Sequence, residues 1–305
     1  MKFCIGIEGG GSRTRIISSI NGEQRDFWLP PVSLKVRDGN FGQAAAELAE
    51  LLTPVLPLPE NVSSATVSIA MGLSGMSRVE DQDGYKAAIH AIPVLSKAKL
   101  HIESDATLTL NAVLPEGEEG ILLIAGTGSV SYYKTKDGMA RRIGGWGSLL
   151  SDGGSGYGIG LESLRTYMYM LDGAFRPEAL TNAIEKWLPK ELKRDQTALV
   201  RHAQTHPEFI ASVARFAFEQ HENSNEAREI IEEGVAELST LIYPILSSKL
   251  LTDPPPHKLY LSGSVAKHPF TTECLQGWLG DQQITYIPVE EHVPCMKALE
   301  IAKAL

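Results

Sequence analysis

Two glycine-rich tracts carry the most chemistry in this sequence: Ile5-Gly6-Ile7-Glu8-Gly9-Gly10-Gly11-Ser12-Arg13-Thr14 near its start, and Leu122-Leu123-Ile124-Ala125-Gly126-Thr127-Gly128-Ser129 further on. Each follows a short apolar run that reads as a buried strand, and each leads into another β-like run, Arg15 to Ile20 and Val130 to Tyr133. A glycine turn lets successive backbone N–H groups point inward with no Cβ in the way, which makes an anion-binding concavity. One such turn is as well explained by a tight hairpin. Two in matching contexts, with an acid beside the first, read as a duplicated device for holding one triphosphate. The expected donors are Gly10, Gly11, Ser12, Arg13 and Thr14 in the first tract, with Arg13 equally readable as a solvated hairpin side chain, and Gly126, Thr127, Gly128 and Ser129 in the second.

Two acids stand beside these turns. Glu8, at the tip of a buried strand, suits a hydrated Mg2+, which keeps most of its waters and is held through one or two carboxylates. The plainer reading is a surface acid at a hairpin end. Asp105, in Glu103-Ser104-Asp105-Ala106, stands between a strand and a helix, where Asp is a good N-cap. Its place between the phosphate tracts also fits a base that accepts the proton of a hydroxyl attacking a γ-phosphoryl group.

Gly144-Gly145-Trp146-Gly147 and Asp152-Gly153-Gly154-Ser155-Gly156-Tyr157 set an aromatic ring and an acid among small residues just before a helix. Close backbone approach, an aromatic platform and a carboxylate for hydroxyls are what a sugar pocket needs; a glycine-rich loop around a core Trp is the alternative. Gly145, Trp146 and Asp152 are taken as acceptor-side contacts, together with Ser74 and Gly75, Asp105 and Thr127. The turn Ser262-Gly263-Ser264-Val265-Ala266 would let a flat purine lie against backbone at Gly263 and Ser264, although a plain βα turn also accounts for it. No Gly-Lys-Ser/Thr follows either tract, which excludes a P-loop, and both turns open strands, whereas dinucleotide-binding turns open helices. The eight histidines read as scattered, without the spacing of metal ligands. Trp28, Trp187 and Trp278 are expected in the core.

The elements that must position these residues follow from pattern. Met1 to Leu29 reads as an antiparallel meander of three strands. Then come a helix over Phe41 to Leu52 ended by Pro54, a strand over Ala65 to Met71, a Gly/Ser loop over Gly72 to Arg78, a helix over Asp81 to Ile92, a strand over Lys99 to Glu103 and a helix over Thr107 to Val113. The programme restarts at Gly120 with a strand to Ala125, the glycine turn, a second strand and a third near Met139 to Ile143, which reads as a structural duplication. A helix runs to Met170, a helical insertion covers about 176–223, and a long helix over Glu226 to Leu251 is expected to kink at Pro244. Strands over Lys258 to Leu261 and Ile284 to Ile287 and a helix over Cys295 to Ala304 follow.

At 305 residues and 43% hydrophobic content the chain can bury real cores. Its net charge of −9 argues against nucleic-acid or anionic-membrane partners, so a phosphorylated ligand must be held by local N–H groups and metal. Three cysteines, Cys4, Cys274 and Cys295, show neither disulfide nor zinc spacing, and Cys4 reads as a small core residue. The start reads as a strand rather than a signal peptide and no apolar run is long enough for a membrane span, so a cytoplasmic protein is expected.

Glu8-Gly9-Gly10-Gly11-Ser12 with Thr14, Ser104-Asp105-Ala106, Ala125-Gly126-Thr127-Gly128-Ser129, Gly144-Gly145-Trp146-Gly147 with Asp152, Gly154, Ser155 and Gly156, and Leu261-Ser262-Gly263-Ser264-Val265 resemble, in order and spacing, the N-acetylglucosamine kinase branch of the BadF/BadG/BcrA/BcrD ATPase family, within the sugar kinase, Hsp70 and actin superfamily. The resemblance implies an α/β fold of two ribonuclease-H-like, actin-like ATPase lobes, each a mixed five-stranded sheet flanked by helices, around a cleft. The expected division is 1–115, with the helix 292–305 packing back on it, and 116–291. It further implies ATP and Mg2+ as cofactors, with Asp105 as base, Glu8 as the metal-associated acid, adenosine on the Ser262 to Ala266 turn, and Gly145, Trp146 and Asp152 on the sugar side. The implied activity is phosphorylation of the 6-hydroxyl of N-acetylglucosamine or glucosamine, with a homodimer left open. Two departures fall on the acceptor side: Gly153 stands where the family usually has Glu, and Pro31-Val32-Ser33-Leu34 lacks the Asn the family tends to place there. The rival expectations are an ATPase that activates a 2-hydroxyacyl-CoA dehydratase-type system and a catalytically weak sugar-binding regulator.

Overall fold

A computed structural model describes residues 1–10, 14–28, 34, 39–56, 65–174, 176, 178–248, 250–280 and 282–305. In chain order the elements are β1 (Lys2–Gly9), β2 (Thr14–Ile20), β3 (Glu23–Trp28), α1 (Phe41–Leu52), β4 (Thr66–Leu73), α2 (Val79–His90), β5 (Lys99–Glu103) and α3 (Asp105–Val113). There follow β6 (Gly120–Ala125), β7 (Ser129–Lys134), β8 (Ala140–Gly144), α4 (Gly156–Leu171), α5 (Ala179–Trp187), α6 (Lys190–Arg194), α7 (Gln196–Thr205), α8 (Pro207–Gln220), α9 (Asn225–Thr240), α10 (Tyr243–Ser247), β9 (His257–Ser262), α11 (Pro269–Leu279), β10 (Ile284–Pro288) and α12 (Val293–Ala304). They form two compact units, Met1–Pro115 with Glu290–Leu305, and Glu116–Val289.

The first unit is built on a five-stranded sheet in the order β3-β2-β1-β4-β5, antiparallel across β3, β2 and β1 and parallel across β1, β4 and β5. Strand side chains alternate between faces. Ile5, Ile7, Ile16, Ile69 and Met71 pack in one core with Leu48 and Leu52 of α1 and Tyr85 and Ile89 of α2. The opposite face carries Cys4, Ile17 and Ala70 against Leu108 of α3 and Cys295, Ala298, Leu299 and Ala302 of α12. This second face is made of small residues because α12 lies almost on the strands: a Cβ at Gly6 would come within 2.7 Å of the Cys295 carbonyl oxygen. Asn40 caps α1 by accepting the Gln43 N–H at 3.2 Å.

The second unit repeats the plan with the sheet order β10-β9-β6-β7-β8, again parallel across β10, β9 and β6 and antiparallel across β6, β7 and β8. Leu123, Ala125, Leu259 and Leu261 of its strands share a core with Ile159 of α4, Val213 and Ala217 of α8, and Val235 and Leu238 of α9. Gly160 of α4 meets the Ile210 carbonyl of α8, a contact that admits no larger residue.

Several local expectations change. The strand expected to end at Met71 runs on to Leu73, because its last residues still pair with β1. Pro244 does not kink one long helix: α9 stops at Thr240, and α10 begins at Tyr243 with the proline in its first turn, where its missing N–H costs nothing. Trp278 is 57% exposed, whereas Trp187 does pack with Phe209 and Phe216, and the Trp28 side chain lies outside the described residues. The histidines are not all scattered. His202 and His206, four apart at the end of α7, stack with ring centroids 4.2 Å apart, and Phe209 meets His202 edge-on. Among the described residues no helix is long and apolar enough to cross a membrane.

Candidate active site

In the first unit the parallel strands β1, β4 and β5 end together. Glu8, Gly72 and Glu103 stand in one row across them, and Asp105 follows Glu103 by two residues as the first residue of α3. Ligands of open α/β sheets collect at this carboxyl end. Gly72 lets α3 settle there, since a Cβ on it would fall 2.6 Å from Cβ of Leu108. Asp105 is not the helix cap. Ser104 takes that role, its Oγ accepting the Thr107 N–H at 3.0 Å, while Asp105 Oδ1 accepts the Ala106 N–H at 2.9 Å. The Glu8 carboxyl is pushed up to about 7, first by burial and next by the charge of Asp105, with Arg15 pulling it back and Glu291 adding to the rise. Glu8 and Asp105 are therefore within electrostatic reach of one another.

The remaining first-unit residues frame this end. Gly10 is half-buried just beyond β1, and Thr14 is buried opposite Gly9 at the start of β2. The Ser74 N–H donates to the Gly9 carbonyl at 2.8 Å, which ties the Ser74-Gly75 loop to the first glycine turn, and Gly75 has the positive φ of +90° that glycine tolerates. Gly11, Ser12 and Arg13 lie outside the described residues, as do Pro31, Val32 and Ser33.

In the second unit β6 and β9 end side by side, and three tracts meet there. The Val265 and Ala266 N–H groups both donate to the Ala125 carbonyl at 3.0 Å, and Gly263, at φ +91°, lies against Gly126 so closely that a Cβ would fall 2.9 Å from its nitrogen. Ser264 is exposed at the same turn. On the other side, the Gly156 N–H at the start of α4 donates to the Gly126 carbonyl at 2.6 Å, and the Tyr157 N–H to the Thr127 carbonyl at 3.0 Å. Ser155 caps α4 through Gly158.

The second glycine turn uses part of its own donor set, which corrects the expectation of four outward donors. The Gly126 N–H bonds the Gly128 carbonyl at 3.0 Å, the Ser129 N–H bonds Asp152 Oδ1 at 3.0 Å, and the Ser129 hydroxyl bonds the Gly153 carbonyl at 3.0 Å. Asp152, in the left-handed conformation at φ +64°, packs its carboxylate on Gly128. Asp152 thus shapes the Thr127-Gly128 turn. Trp146 is 67% exposed, not a core residue, and Arg142 lies over its ring at 4.2 Å; Gly145, at φ +69°, leaves no room for a Cβ beside Val130. The place of a Gly153 side chain is filled by the Glu237 carboxylate of α9. Glu237 also borders a cavity of about 180 Å³ with Asp152, Tyr157 and Glu162.

Arg15, Glu291 and Glu237 are absent from the expected set. Arg15 could have been found from the hairpin, since a turn joining Gly9 to Thr14 sets residue 15 opposite residue 8. Glu291 and Glu237 come from distant elements and carry no such signal. Among the described residues no group of three or more His, Cys, Asp or Glu side chains gathers to hold a metal ion alone. A hydrated Mg2+ needs less: one or two carboxylates with phosphate oxygens completing its shell. The buried Glu8 carboxyl, raised by its neighbour's negative charge, is a donor that such a cation would stabilise.

A curated N-acetylmuramic acid/N-acetylglucosamine kinase from Clostridium acetobutylicum is 30% identical over 70% of this chain and 69% of its own length. A curated N-acetyl-D-glucosamine kinase from Dictyostelium discoideum is 25% identical over 81% of this chain and 79% of its own. The fold matches the crystal structure of a candidate N-acetylglucosamine kinase from Chromobacterium violaceum with a TM-score of 0.71 at 19% identity, covering 99% of both chains. The BadF/BadG/BcrA/BcrD ATPase family model matches residues 5–299, and the chain belongs to that family.

Proposed function

We propose that this protein is an ATP-dependent hexosamine kinase that transfers the γ-phosphoryl group of Mg-ATP to the 6-hydroxyl of N-acetylglucosamine or glucosamine. The observation that carries the reading is the placing of Glu8 and Asp105 at the carboxyl end of the parallel strands of the first unit, where burial and the charge of Asp105 set the Glu8 carboxyl apart from an ordinary surface carboxylate. The kinase names of the curated relatives support it.

In this reading Asp105 accepts the proton of the sugar hydroxyl as its oxygen attacks phosphorus, and the helix start fixed by Ser104 keeps that carboxylate aimed. Glu8 would hold the Mg2+, which when bound neutralises charge on the phosphate oxygens. The Gly10 and Thr127-Gly128 backbone segments would cradle phosphate oxygens, and the Gly263-Ser264 turn would face the adenosine. Gly145, Trp146, Ser74, Gly75 and Asp152 would bind the sugar, Asp152 through the carboxylate capacity left beyond its bond to Ser129.

A panel of N-acetylglucosamine, glucosamine, N-acetylmuramic acid and glucose with Mg-ATP, read as ADP formed, tests the proposal. An amino sugar is expected to give the highest kcat/KM, and Asp105→Asn should lower it by about 10²–10⁴-fold, the range of a general base. Near-normal turnover in Asp105→Asn would remove the base assignment. Tight sugar binding with no ADP formed would instead favour a regulator.

A further inference from the structure

We propose that Arg15 is a positioning residue, a buried guanidinium that holds the Glu8 carboxylate in place beside Asp105 and is itself anchored by Glu291. This rests on the reading of Glu8 as the metal-side acid given above.

In the antiparallel ladder of β1 and β2, Arg15 stands directly opposite Glu8, so the two side chains leave the sheet on the same face. That face is the one covered by α12, and around it lie Cys4, Ile17, Leu108 and Leu299 with the buried hydroxyls of Ser19 and Ser68, none of them charged. The Arg15 side chain is only 9% exposed there, and its Nη2 donates to Glu291 Oε2 at 3.0 Å. A buried guanidinium costs desolvation that a second apolar residue would not. What it does supply is a counter-charge. Glu8, Asp105 and Glu291 are three acids acting on one region, and Arg15 is the cation acting on Glu8 against them.

The anchoring comes from the far end of the chain. Glu291 belongs to the segment by which the chain re-enters the first unit, one residue after Glu290 and just before α12. One turn on, the Cys295 thiol donates to the carbonyls of Gly6 and Arg15 at 3.4 and 3.5 Å, which fixes the start of α12 against both strands. Glu291 therefore reaches the guanidinium from a rigid base. Lysine, a point charge without a planar fork, would not keep the bond to Glu291 while presenting the same charge to the neighbouring Glu8.

The full-length chain and its Arg15→Gln, Arg15→Lys and Glu291→Gln variants separate this role from simple packing. Three quantities are read: Mn2+ affinity in the presence of ADP, by electron paramagnetic resonance of free Mn2+; the Mg2+ concentration for half-maximal ADP formation; and the KM for the sugar. Arg15→Gln is expected to weaken Mn2+ binding and raise the Mg2+ requirement about tenfold, as loss of an outer-sphere partner does, while leaving sugar KM within about twofold. Arg15→Lys should recover part of the loss. Glu291→Gln should move the same two quantities in the same direction by less, and adding it to Arg15→Gln should cost nothing further, because Glu291 acts through Arg15. A lowered thermal midpoint with unchanged Mn2+ affinity would overturn the inference, as would tighter Mn2+ binding, which would make Arg15 a repelling cation. Should Arg15→Gln fail to fold, Glu291→Gln carries the same readout. Mn2+ binding needs no turnover, so a wild-type chain that binds Mn-ADP but phosphorylates no sugar counts against the kinase reading alone.

Discussion

Glu8 sits where an ionised carboxylate is disfavoured, and that has a measurable consequence for stability. Burial, then the charge of Asp105, raise its pKa from an ordinary 4.5 to about 7. A group whose folded pKa lies above its unfolded value contributes stability that is fully present below the unfolded pKa and is lost as pH rises through the folded one. Without metal, the window is therefore roughly pH 4.5 to 7, and the loss across it is on the order of 3 kcal/mol. The thermal midpoint of the metal-free protein is expected to fall on this account between pH 5 and 8, and Glu8→Gln should flatten that slope while Mg-ADP reduces it. A Glu8→Gln profile parallel to wild type would show that the carboxyl is not strained. Glu8 and Asp105 stand out in the sequence as candidates because each has a local marker: an acid before a glycine run, and an acid between a strand and a helix. The bond from Ser129 N–H to Asp152 does not, since residues 23 apart become partners only through the fold.

Secondary elements here are set by pattern where the pattern is local, and by packing where glycine is involved. Strands β1, β4 and β6 were readable as apolar runs, β5 from the alternation of Lys99-Leu100-His101-Ile102-Glu103, and α1 from its Ala and Leu periodicity. The break between α9 and α10 was not, because a proline inside an apolar run is compatible with a kink or a restart, and buried Leu238, Ile242 and Ile245 decide between them. Gly6 shows the second case. Its strand position is readable from the apolar run around it, but not that it is where α12 touches β1. Gly6→Ala must displace the backbone of Cys295 and Leu299, with contacts of 2.7 and 2.8 Å to their carbonyl oxygen and Cα, and should cost about 1–3 kcal/mol, the usual size of an overpacked core. Gly42→Ala in α1, where a Cβ meets nothing within 4 Å, should be neutral or stabilise by up to about 1 kcal/mol through helix propensity. Urea unfolding of both variants checks the contrast, and equal midpoints would mean that α12 can move away from β1 without loss.

At the scale of the whole molecule the duplication was legible, because the strand, glycine turn, strand programme restarts at Gly120 and the two sheets share one connectivity, β3-β2-β1-β4-β5 and β8-β7-β6-β9-β10. That the first unit is discontinuous follows from no periodicity in the sequence; it is expected only through the family resemblance, which has the helix 292–305 packing back on residues 1–115. The chain leaves it at Pro115 and returns at Glu290, and only then does α12 cover Cys4, Ile17, Ala70 and Leu108. Periodicity identifies α12 as a helix with an apolar face but says nothing about which sheet, nearly the full length of the chain away, that face will meet. The two units should therefore respond differently to truncation. Residues 116–289 contain a complete sheet and its covering helices, and expressed alone they should fold with a single cooperative urea transition. Residues 1–289 retain every strand of the first unit yet leave one face of its sheet covered by α3 alone, and that fragment should bind a hydrophobic dye or aggregate. Joining 1–115 directly to 290–305 through a short flexible linker should restore a folded first unit. If 1–289 unfolds at the same urea concentration as the full chain and binds no dye, α12 is not part of the first core, and the anchoring of Arg15 through Glu291 loses its foundation with it.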